Sequence, residues 1–395
     1  MYSGLMFNRS AYKLISSHID HPEAIIITGP RRVGKTTTLK HFFEKIASPN
    51  KIFLDIEDPL NQSFFDRKNY GEIKQLLENK GLNFETKNYI FLDEIQFQKN
   101  LPSVIKYFYD HHNTKFLVTG SSSFYLKNLF SESLSGRKFL FEMFPLDFSE
   151  FLEFKGIKYK LPKITDKINE STYLLFQPLY EEYIHYGGFP QVVLAKTIDD
   201  KNKALSDIFS AYFQKEILEL SDFKKNSDVR NLILLLTQRV GQKLDIQRVS
   251  SELGIARPTI HNFLEFLHGT YLIDLILPFG KFDTSIRKQS KVYFLDTGLL
   301  NFLGKKETGN IFENAVYLNL KIKEDVIRKI QYYQSDRQEI DFIIDGTAYE
   351  AKTFPSDSDL SSLQRYAKKV GVQNCFIYSY RYAKTKNTIY GFQTF

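Results

Sequence analysis

The sequence predicts an α/β protein that begins with a parallel β-sheet covered by helices on both faces. Two observations lead to this prediction. From Met1 to about Phe144, short apolar segments alternate with segments of helical periodicity, as in parallel sheets. The first apolar segment, Ala24 to Thr28, runs directly into Gly29 to Thr36, which has the phosphate-loop spacing G-x-x-x-x-G-K-[ST]. A strand, a glycine-containing loop and a helix in this order are the expected context of that motif.

Hydrophobic periodicity divides the chain into four predicted regions. Residues 1–147 form the predicted phosphate-loop domain, 148–225 a helical connection or lid, 226–295 a winged helix-turn-helix, and 296–395 a second α/β domain. The predicted strands of the first region are Ala24 to Thr28, Lys51 to Ile56, Asn88 to Leu92 and Lys115 to Thr119. Its predicted helices are Lys35 to Ile46, Tyr70 to Asn79, Leu101 to His111 and Phe124 to Phe130.

Composition restricts the possible classes of protein. The chain has 395 residues, 43% of them hydrophobic, and a formal net charge of +7, which favours an anionic partner. A single cysteine, Cys375, rules out a disulfide within the chain and a thiolate metal site. The N-terminus lacks the apolar core of a signal peptide, and no apolar run reaches the roughly 18 residues of a membrane span. We therefore expect a cytoplasmic protein without membrane contact.

The phosphate loop assigns chemistry to particular residues. Gly29 and Gly34 allow the backbone to approach a phosphate, and the following helix directs the positive end of its dipole to the same point. Lys35 is expected to reach the β and γ phosphates, and the Thr36 hydroxyl to bind Mg²⁺. The other predicted nucleotide-binding residues of this segment are Pro30, Arg31, Arg32, Val33 and Thr37.

A second acidic motif completes the predicted nucleotide site. An apolar strand ends in Asp93 and Glu94, which we expect to hold Mg²⁺ and to act as the general base on the attacking water, respectively. The next strand ends in Gly120 and Ser121, and the Ser121 hydroxyl is placed to contact the γ phosphate or the water, although a serine-rich turn is an equal alternative. This order of motifs favours ATPases with an additional strand between the two motif strands.

Arg137 follows this strand in a predicted exposed loop. Its guanidinium would suit an arginine finger that reaches the γ phosphate of a neighbouring subunit, and that role requires self-association. An ordinary surface arginine is the alternative.

The third region contains a predicted helix-turn-helix. Two short helical segments, Val249 to Ile255 and Arg257 to Leu264, are joined near Gly254. Pro258 suits the first turn of the second helix, where exposed polar side chains would meet base edges. These polar residues are Arg257, Thr259, His261 and Asn262. Tyr271 to Phe279 and the basic stretch Lys281 to Lys291 would form a wing that touches DNA phosphates, although such modules also serve as lids or protein contacts.

Near the C-terminus, a predicted β-hairpin brings two carboxylates together. Asp345-Gly346 is a strong two-residue turn signal, and it fixes the register of the flanking strands. The predicted pairs are Ile344 with Thr347, Phe342 with Tyr349 and Asp341 with Glu350. Lys352 shares their face, so a Mg²⁺ ion between the carboxylates would relieve their repulsion while Lys352 orients water or stabilises charge on a phosphate.

Two simpler interpretations of these residues remain open. Glu313 lies on an apolar helix and would supply a further carboxylate to the metal, but Asn310 and Glu313 also fit a capping box at a helix start. Lys352 would also be satisfied by an ion pair with Glu350 or with Glu339.

The chain resembles the prokaryotic AAA-type ATPases in which a winged helix and a restriction-endonuclease-like domain follow the phosphate-loop domain. The resemblance spans nearly the whole chain and lies in several segments. They are Gly29 to Thr36, Phe91 to Gln96, Val118 to Ser123, Ser135 to Arg137, Phe144 to Phe151, Tyr186 to Pro190 and Tyr293 to Leu299. Glu313, Asp341 and Glu350-Ala351-Lys352 match the PD-(D/E)xK nuclease pattern, except that Ile340 stands where the pattern has proline.

The resemblance implies ATP as the nucleotide and Mg²⁺ as the cofactor. It leads to the hypothesis of an ATPase coupled to DNA binding, in which Asp341, Glu350 and Lys352, with Glu313, would carry DNA cleavage. The alternative is a regulatory or remodelling ATPase that acts on protein partners and whose nuclease-like domain is catalytically silent.

Overall fold

The protein was analysed in a computed structural model that divides into two compact units. The first unit comprises residues up to Phe144 and the segment Gly269–Tyr271, and the second comprises Pro145–His268 and Leu272–Phe395. The first break falls three residues from the predicted end of the phosphate-loop domain. The structure describes residues 7–67, 69–121, 136–221, 223, 225–280, 290–304, 307–323, 326–327, 329–335 and 338–394.

The first unit is built on a five-stranded parallel sheet, as the alternating pattern predicted. Its strands are β1 (Ala24–Thr28), β2 (Lys51–Asp55), β3 (Asn88–Asp93), β4 (Thr114–Gly120) and β5 (Lys138–Glu142). The spatial order is β2-β3-β4-β1-β5, so β4 lies between the phosphate-loop strand and the strand of the acidic motif. The predicted additional strand between the two motif strands is therefore present.

Helices of the first unit lie close to their predicted positions. They are α1 (Ser10–Ser16), α2 (Lys35–Lys45), α3 (Pro59–Phe65), α4 (Tyr70–Asn79) and α5 (Leu101–His111), with a 3₁₀ turn at Ile95–Phe97. Buried side chains of α4 and α5, such as Leu77 and Val104, pack against Ile90 and Phe116 of the sheet. This apolar layer fixes the carboxyl ends of β1, β3 and β4 at one edge. The predicted helix Phe124 to Phe130 lies outside the described residues.

The second unit begins with helices, in agreement with the predicted helical connection. They are α6 (Phe148–Phe154), α7 (Glu170–Tyr186), α8 (Pro190–Val193), α9 (Ile198–Tyr212), a π-helix (Phe213–Leu220), α10 (Asn226–Gln238), α11 (Ile246–Leu253) and α12 (Arg257–Gly269). Asp147 and Glu150 form a capping box that starts α6. Among the described residues, none of the helices combines the length and the apolar character needed to cross a membrane.

The segment of the predicted helix-turn-helix contains two consecutive helices, α11 and α12. Gly254 follows α11 with a φ of 65°, a left-handed conformation that suits glycine. Val249 and Ile260 are buried between the helices, as the spacing predicted, while Arg257 and His261 are exposed at the start of α12. Most of the predicted basic wing, residues 281–289, lies outside the described residues.

A seven-stranded sheet forms the rest of the second unit. Its strands are β6 (Ile273–Pro278), β7 (Lys291–Phe294), β10 (Gln331–Ser335), β11 (Gln338–Ile344), β12 (Thr347–Lys352), β13 (Asn374–Ser379) and β14 (Thr388–Tyr390); β8 (Ile322–Lys323) and β9 (Val326–Ile327) pair separately. The sheet order is β14-β13-β12-β11-β10-β6-β7. Strand β6, inside the predicted wing, and strand β7, which begins at its last residue, thus belong to the same sheet as the C-terminal strands, across the predicted domain boundary at 295.

Three helices accompany this sheet: α13 (Thr297–Gly304), α14 (Thr308–Lys321) and α15 (Asp357–Lys369). Leu360 and Leu363 of α15 pack against Ile340 and Ile377 to form one apolar core. The hairpin β11–β12 contains two of the three predicted pairs, Ile344 with Thr347 and Phe342 with Tyr349. Asp345 and Gly346 both have positive φ, 47° and 73°, as a tight two-residue turn requires.

Candidate functional site

The phosphate loop connects β1 to α2 and has the backbone shape that its glycines allow. Gly29 and Gly34 have φ values of 142° and 102°, and Gly34 immediately precedes the first residue of α2. A Cβ atom at Gly29 would collide with the carbonyl oxygen of Met143, at the end of β5. The loop therefore requires glycine here for close packing as well as for its conformation.

Lys35 lies at the centre of the loop. Its side chain is buried, and Nζ donates hydrogen bonds to the carbonyl oxygens of Gly29 (2.9 Å) and Pro30 (2.7 Å). These two hydrogen bonds connect the end of the loop to its beginning and place the positive charge of the ammonium group inside the loop. Of the other predicted loop residues, Pro30 and Val33 are buried, Arg31 is half-buried, and Arg32 and Thr37 are exposed.

Arg9 is a loop contact that the motif search missed. Its buried guanidinium donates to the carbonyl oxygens of Val33 and Phe144, both at 2.8 Å. This bridge ties the phosphate loop to the end of the β5 segment and adds positive charge behind the loop. Arg9 lies twenty residues before Gly29 in the sequence, so the motif itself gives no signal for it.

The acidic motif faces the loop at the same edge of the sheet. Asp93 is buried at the end of β3, and its carboxylate accepts a hydrogen bond from the Thr119 hydroxyl. Burial raises the pKa of Asp93, although the nearby hydroxyls of Thr119 and Thr36 act in the opposite direction. The predicted Mg²⁺ residues Thr36 and Asp93 therefore lie near each other.

Glu94 follows Asp93 in a left-handed conformation, with a φ of 55°. Its backbone N–H donates to Thr119 Oγ1 at 3.2 Å, which fixes the turn at the end of β3. Its carboxylate oxygen Oε2 accepts a hydrogen bond of 2.5 Å from Gln96 Nε2. The predicted general base therefore has a defined side-chain partner.

Ser121 also contacts Gln96. The Ser121 hydroxyl accepts a hydrogen bond from Gln96 Nε2 at 3.0 Å, and the Ser121 backbone N–H donates to Gln96 Oε1 at 3.2 Å. Ser121 is buried, which argues against a loose serine-rich turn at this residue. Gln96 was part of the motif quoted above but received no role from sequence reasoning.

Arg137 lies at the amino ends of the strands, whereas the phosphate loop lies at their carboxyl ends. Its carbonyl oxygen accepts from the N–H of Ala24, the first residue of β1, whereas the phosphate loop follows the last residue of that strand. Its guanidinium donates to Asp110 at 2.9 and 3.4 Å. Arg137 is therefore remote from the nucleotide site of its own chain, and an arginine-finger role toward a neighbouring subunit stays a prediction.

A second group of predicted residues comes together in the C-terminal sheet. We use the term carboxylate cluster for Glu313, Glu339, Asp341 and Glu350 together with Lys291 and Lys352. Asp341 Oδ2 accepts a hydrogen bond from the Ala351 N–H at 2.9 Å, and Lys352 pairs with Glu350 at 2.9 Å. The predicted hairpin therefore brings Asp341 next to the Glu350-Ala351-Lys352 segment.

A β-bulge shapes this part of β11. Tyr333 of β10 pairs with Ile340 and Gln331 pairs with Ile343, so β11 has one residue more than β10 in this interval. The additional residue lies at Asp341–Phe342. Bulges of this kind redirect a side chain, and they are common next to functional sites.

Glu313 reaches the cluster from α14. Its Oε1 accepts a hydrogen bond of 2.9 Å from the hydroxyl of Tyr293 on β7. The helix begins at Thr308, so Asn310 lies inside it and the capping-box interpretation is wrong. Glu313 is a member of the cluster instead.

Lys291 is the member that sequence reasoning missed. It lies on β7, its side chain is only 2% exposed, and Nζ is 2.6 Å from Glu339 Oε1 and 3.9 Å from Asp341 Oδ1. The suggested pairing of Lys352 with Glu339 is therefore not observed, because Glu339 pairs with Lys291. A lysine about fifty residues before the hairpin in the sequence carries no motif that links it to Glu339 or Asp341.

The pKa values of the cluster are shifted by burial and by the charges of neighbouring side chains. Burial, followed by the nearby charge of Asp341, raises the pKa of Glu313 and of Glu350 to about 8. Burial also raises the pKa of Asp341. Burial alone would lower the pKa of Lys291. The negative charges of Asp341, Glu313 and Glu339 have the larger effect, so the pKa of this lysine is raised. The two lysines thus partly neutralise an excess of carboxylates.

The carboxylates of the cluster are suitable ligands for a divalent cation, but the described side chains are not grouped as a metal site requires. Oε2 of Glu350 is buried and accepts no hydrogen bond from the part of the chain that the structure describes. Within the same described residues, no three acidic, histidine or cysteine side chains are grouped so that they could hold a metal ion. Lys291 and Lys352 supply positive charge where the sequence predicted a metal ion.

Two further motifs meet at Asp296. The Asp296 carboxylate accepts hydrogen bonds from the N–H groups of Gly188 (2.8 Å) and Leu299 (2.7 Å), and a Cβ at Gly187 would collide with it. Burial raises the pKa of Asp296 to about 6. Asp296 therefore connects two segments of the second unit, Tyr186 to Pro190 and Tyr293 to Leu299.

Comparison with protein families assigns two parts of the chain. Residues 21–152 match the family model of an AAA domain, and residues 177–309 match that of a domain of unknown function, DUF8612. Residues 21–152 contain both motifs of the nucleotide site described above. Residues 21–152 are thus similar to an AAA domain, and they include the five strands of the parallel sheet.

Relatives occur in archaea and bacteria. An uncharacterized protein of Methanocaldococcus jannaschii is 28% identical over 366 residues, which are 88% of this chain and 80% of that protein. An uncharacterized protein of Haemophilus influenzae is 29% identical, over 80% of this chain and 78% of its own length. Among solved structures, Aeropyrum pernix ORC1 in complex with DNA aligns over 76% of this chain and 93% of its own, with 11% identity and a TM-score of 0.35.

Proposed function

We propose that the AAA domain binds and hydrolyses ATP with Mg²⁺ as cofactor. The observation that carries this proposal is the phosphate loop itself, in which the buried Lys35 donates to the carbonyl oxygens of Gly29 and Pro30, together with the buried carboxylate of Asp93 at the end of β3. Thr36, in the first turn after the loop, lies near Asp93, and the loop and the helix dipole favour phosphate at this point. Lys35 and Glu94 flank the same point.

The residues present fit a Mg²⁺ ion at this point. Asp93 is a buried carboxylate whose pKa is raised by desolvation, so a nearby cation would stabilise its charged form. When bound, Mg²⁺ would neutralise charge on the β and γ phosphates. Threonine hydroxyl and aspartate carboxylate oxygens are the hard ligands that this ion prefers.

The side chains of the AAA domain have separable roles in the proposed reaction. Lys35 would exchange its carbonyl partners for the β and γ phosphates. Glu94 would accept the proton of the attacking water, while Ser121 would contact the γ phosphate or that water. Arg137 would act only in trans, within an assembly of several copies.

The ATP half of the proposal is tested by nucleotide binding and by release of phosphate in the presence of Mg²⁺. Loss of ATP binding in the variant Lys35→Ala is the expected result. Unchanged nucleotide affinity in that variant would contradict the assignment.

We propose further that ATP turnover is coupled to DNA binding through α12. Arg257, His261 and Asn262 are exposed at the start of this helix, and Thr259 is half-exposed beside them. A recognition helix presents its N-terminal side chains to base edges and phosphates. The net charge of +7 is compatible with a polyanionic partner.

Salt dependence of DNA binding tests this coupling. Arg257→Ala is expected to weaken binding and to reduce the slope of log affinity against log salt by about one, the value for one lost phosphate contact. Arg230→Ala on α10, also exposed, is the matched control and should keep the wild-type slope. DNA binding that is independent of salt, or equal slopes in all three proteins, would favour the alternative of a remodelling ATPase that acts on protein partners.

A second candidate function is phosphodiester cleavage at the carboxylate cluster. The observation that favours it is the buried Oε2 of Glu350, near Asp341, which accepts no hydrogen bond within the described ranges of the chain. Glu313, Asp341 and Glu350 would be the metal ligands and Lys352 the residue that stabilises phosphate charge. Since the described side chains do not form a ready three-ligand group, no cleavage step is assigned to them.

Cleavage is tested on plasmid and branched DNA with Mg²⁺ or Mn²⁺, with and without ATP. We expect any nuclease activity of the wild-type protein to disappear in Asp341→Ala, while ATP hydrolysis remains. Cleavage that persists in this variant would exclude the cluster as its source. Intact ATPase activity without any cleavage would favour the catalytically silent form of the C-terminal domain.

A further inference from the structure

The side chain of Gln96 occupies a special position in the AAA domain. It lies in the 3₁₀ turn Ile95–Phe97 directly after the acidic motif and is only 5% exposed. Its amide group contacts both Glu94 and Ser121, the two residues predicted to act on the attacking water and the γ phosphate. Any motion of one of these groups relative to the other must therefore disturb the amide.

The orientation of the Gln96 amide follows from its partners. The backbone N–H of Ser121 can only donate, so the group that it contacts at 3.2 Å must be the amide oxygen Oε1. The amide nitrogen Nε2 must then face the other way. There it donates one hydrogen to Glu94 Oε2 at 2.5 Å and one to Ser121 Oγ at 3.0 Å. Both amide hydrogens are used, and a flip of the amide would lose the contacts to the Ser121 N–H and to the Glu94 carboxylate.

This arrangement restricts the carboxylate of Glu94. The backbone of Glu94 is held by its left-handed conformation and by the hydrogen bond from its N–H to Thr119. Gln96 fixes Oε2, so Oε1 is the oxygen expected to face a water molecule. A general base works only when it lies within hydrogen-bond distance of the proton that it removes.

We propose that Gln96 is a positioning residue for ATP hydrolysis, which orients the Glu94 carboxylate and couples it to Ser121. The proposal rests on the ATPase activity proposed above. Gln96 touches neither the phosphate loop nor Lys35 in the described contacts, so its effect falls on turnover rather than on ATP affinity. In an orientation-dependent step, a small misplacement of a catalytic group lowers the rate by about 100-fold.

Two variants of Gln96 separate its contacts. Gln96→Glu keeps an oxygen for the Ser121 N–H but replaces the donor to Glu94 by a second carboxylate. Gln96→Leu removes all three hydrogen bonds at similar volume. For both variants we expect kcat to fall by about 10- to 100-fold, with the KM for ATP and the affinity for ATP changed by less than about threefold.

Gln98 offers a matched control two residues further along the chain. It is also buried, and its amide nitrogen donates to Asp66 at 2.7 Å and to the Gln62 carbonyl at 3.1 Å, away from Glu94 and Ser121. Gln98→Glu is expected to lower the melting temperature but to keep the wild-type kcat. A purely structural role of Gln96 would give its variants the same pattern as Gln98→Glu.

The possible outcomes are distinct. A selective loss of kcat in both Gln96 variants supports the proposal. A wild-type kcat in Gln96→Leu, an increase of KM without a change of kcat, or an equal loss in Gln98→Glu would overturn the role of Gln96 alone. A wild-type protein that binds no ATP, or binds it without hydrolysis, would overturn the proposed ATPase and the role of Gln96 together.

Discussion

Lys35→Ala should lose measurable affinity for ATP, with a dissociation constant at least roughly 100-fold higher than that of the wild-type protein. Lys35 is buried at the centre of the phosphate loop, where its ammonium group already contacts the carbonyl oxygens of Gly29 and Pro30. Charge-assisted hydrogen bonds to phosphate are worth roughly 1.5 to 3 kcal/mol each, and Lys35 would make more than one.

The measurement is a titration with a fluorescent ATP analogue, together with the melting temperature of each protein. Lys40→Ala is the matched control, because Lys40 lies on the same helix α2 but is exposed. It should bind the analogue like the wild-type protein. Because Lys35 also shapes the empty loop, some loss of thermal stability is expected in Lys35→Ala. Wild-type affinity in this variant would contradict the assignment of the phosphate loop.

The nucleotide site could be predicted from sequence to a large extent because its information is local. The glycines, Lys35 and Thr36 fall within eight residues, and the flanking strand and helix have clear periodicity. The C-terminal hairpin was predictable for the same reason, since the two-residue turn at Asp345 and Gly346 fixes the register by itself. Where a short segment determines its own geometry, the structure follows the sequence prediction.

Residues that act across long sequence distances could not be predicted in this way. Arg9 contacts Val33 and Phe144 because the fold brings together three segments that are far apart in the sequence. Lys291 meets Glu339 only because β6 and β7 join the C-terminal sheet through β10. A lone arginine or lysine has no periodicity that would reveal such a contact. Tertiary pairing of strands decides these partners.

The strands β6 and β7 illustrate the same limit. They follow α12 and pair with each other in antiparallel fashion. The structure also pairs Leu277 and Pro278 of β6 with the start of β10, which makes the sheet continuous. An edge strand offers unpaired backbone groups, and a sequence pattern does not tell which distant strand will use them.

Lys291→Met is expected to destabilise the protein by roughly 3 kcal/mol, the lower end of the cost of removing one partner from a buried ion pair, because Asp341 is buried but Glu339 is 41% exposed. The Lys291 side chain is only 2% exposed and neutralises Glu339 and Asp341. Without it, the cluster would keep four carboxylates and only Lys352 as a positive group. The stability of wild type and variant is measured by denaturant unfolding.

Two further variants show whether the loss arises from charge. Lys352→Met should cost less, because the Lys352 side chain is 39% exposed and water screens its interaction with Glu350. Adding Glu339→Gln to Lys291→Met should recover part of the stability, since one unpaired carboxylate is removed with its partner. Equal losses in Lys291→Met and Lys352→Met, with no recovery in the double variant, would contradict an electrostatic role for Lys291.

Addition of Mn²⁺ to the same proteins decides what the cluster is built to hold. A cation that binds only the folded state raises its stability in proportion to the logarithm of the cation concentration. If Lys291 occupies the position of a cation, Mn²⁺ should stabilise Lys291→Met more than the wild-type protein, and this is the result that we expect from the burial of Nζ between carboxylates. Equal stabilisation of both proteins would show a metal site beside Lys291, built from Glu313, Asp341 and Glu350, and would strengthen the case for DNA cleavage. No stabilisation of either would leave Lys291 as a fixed structural cation and favour a C-terminal domain that binds without cleaving.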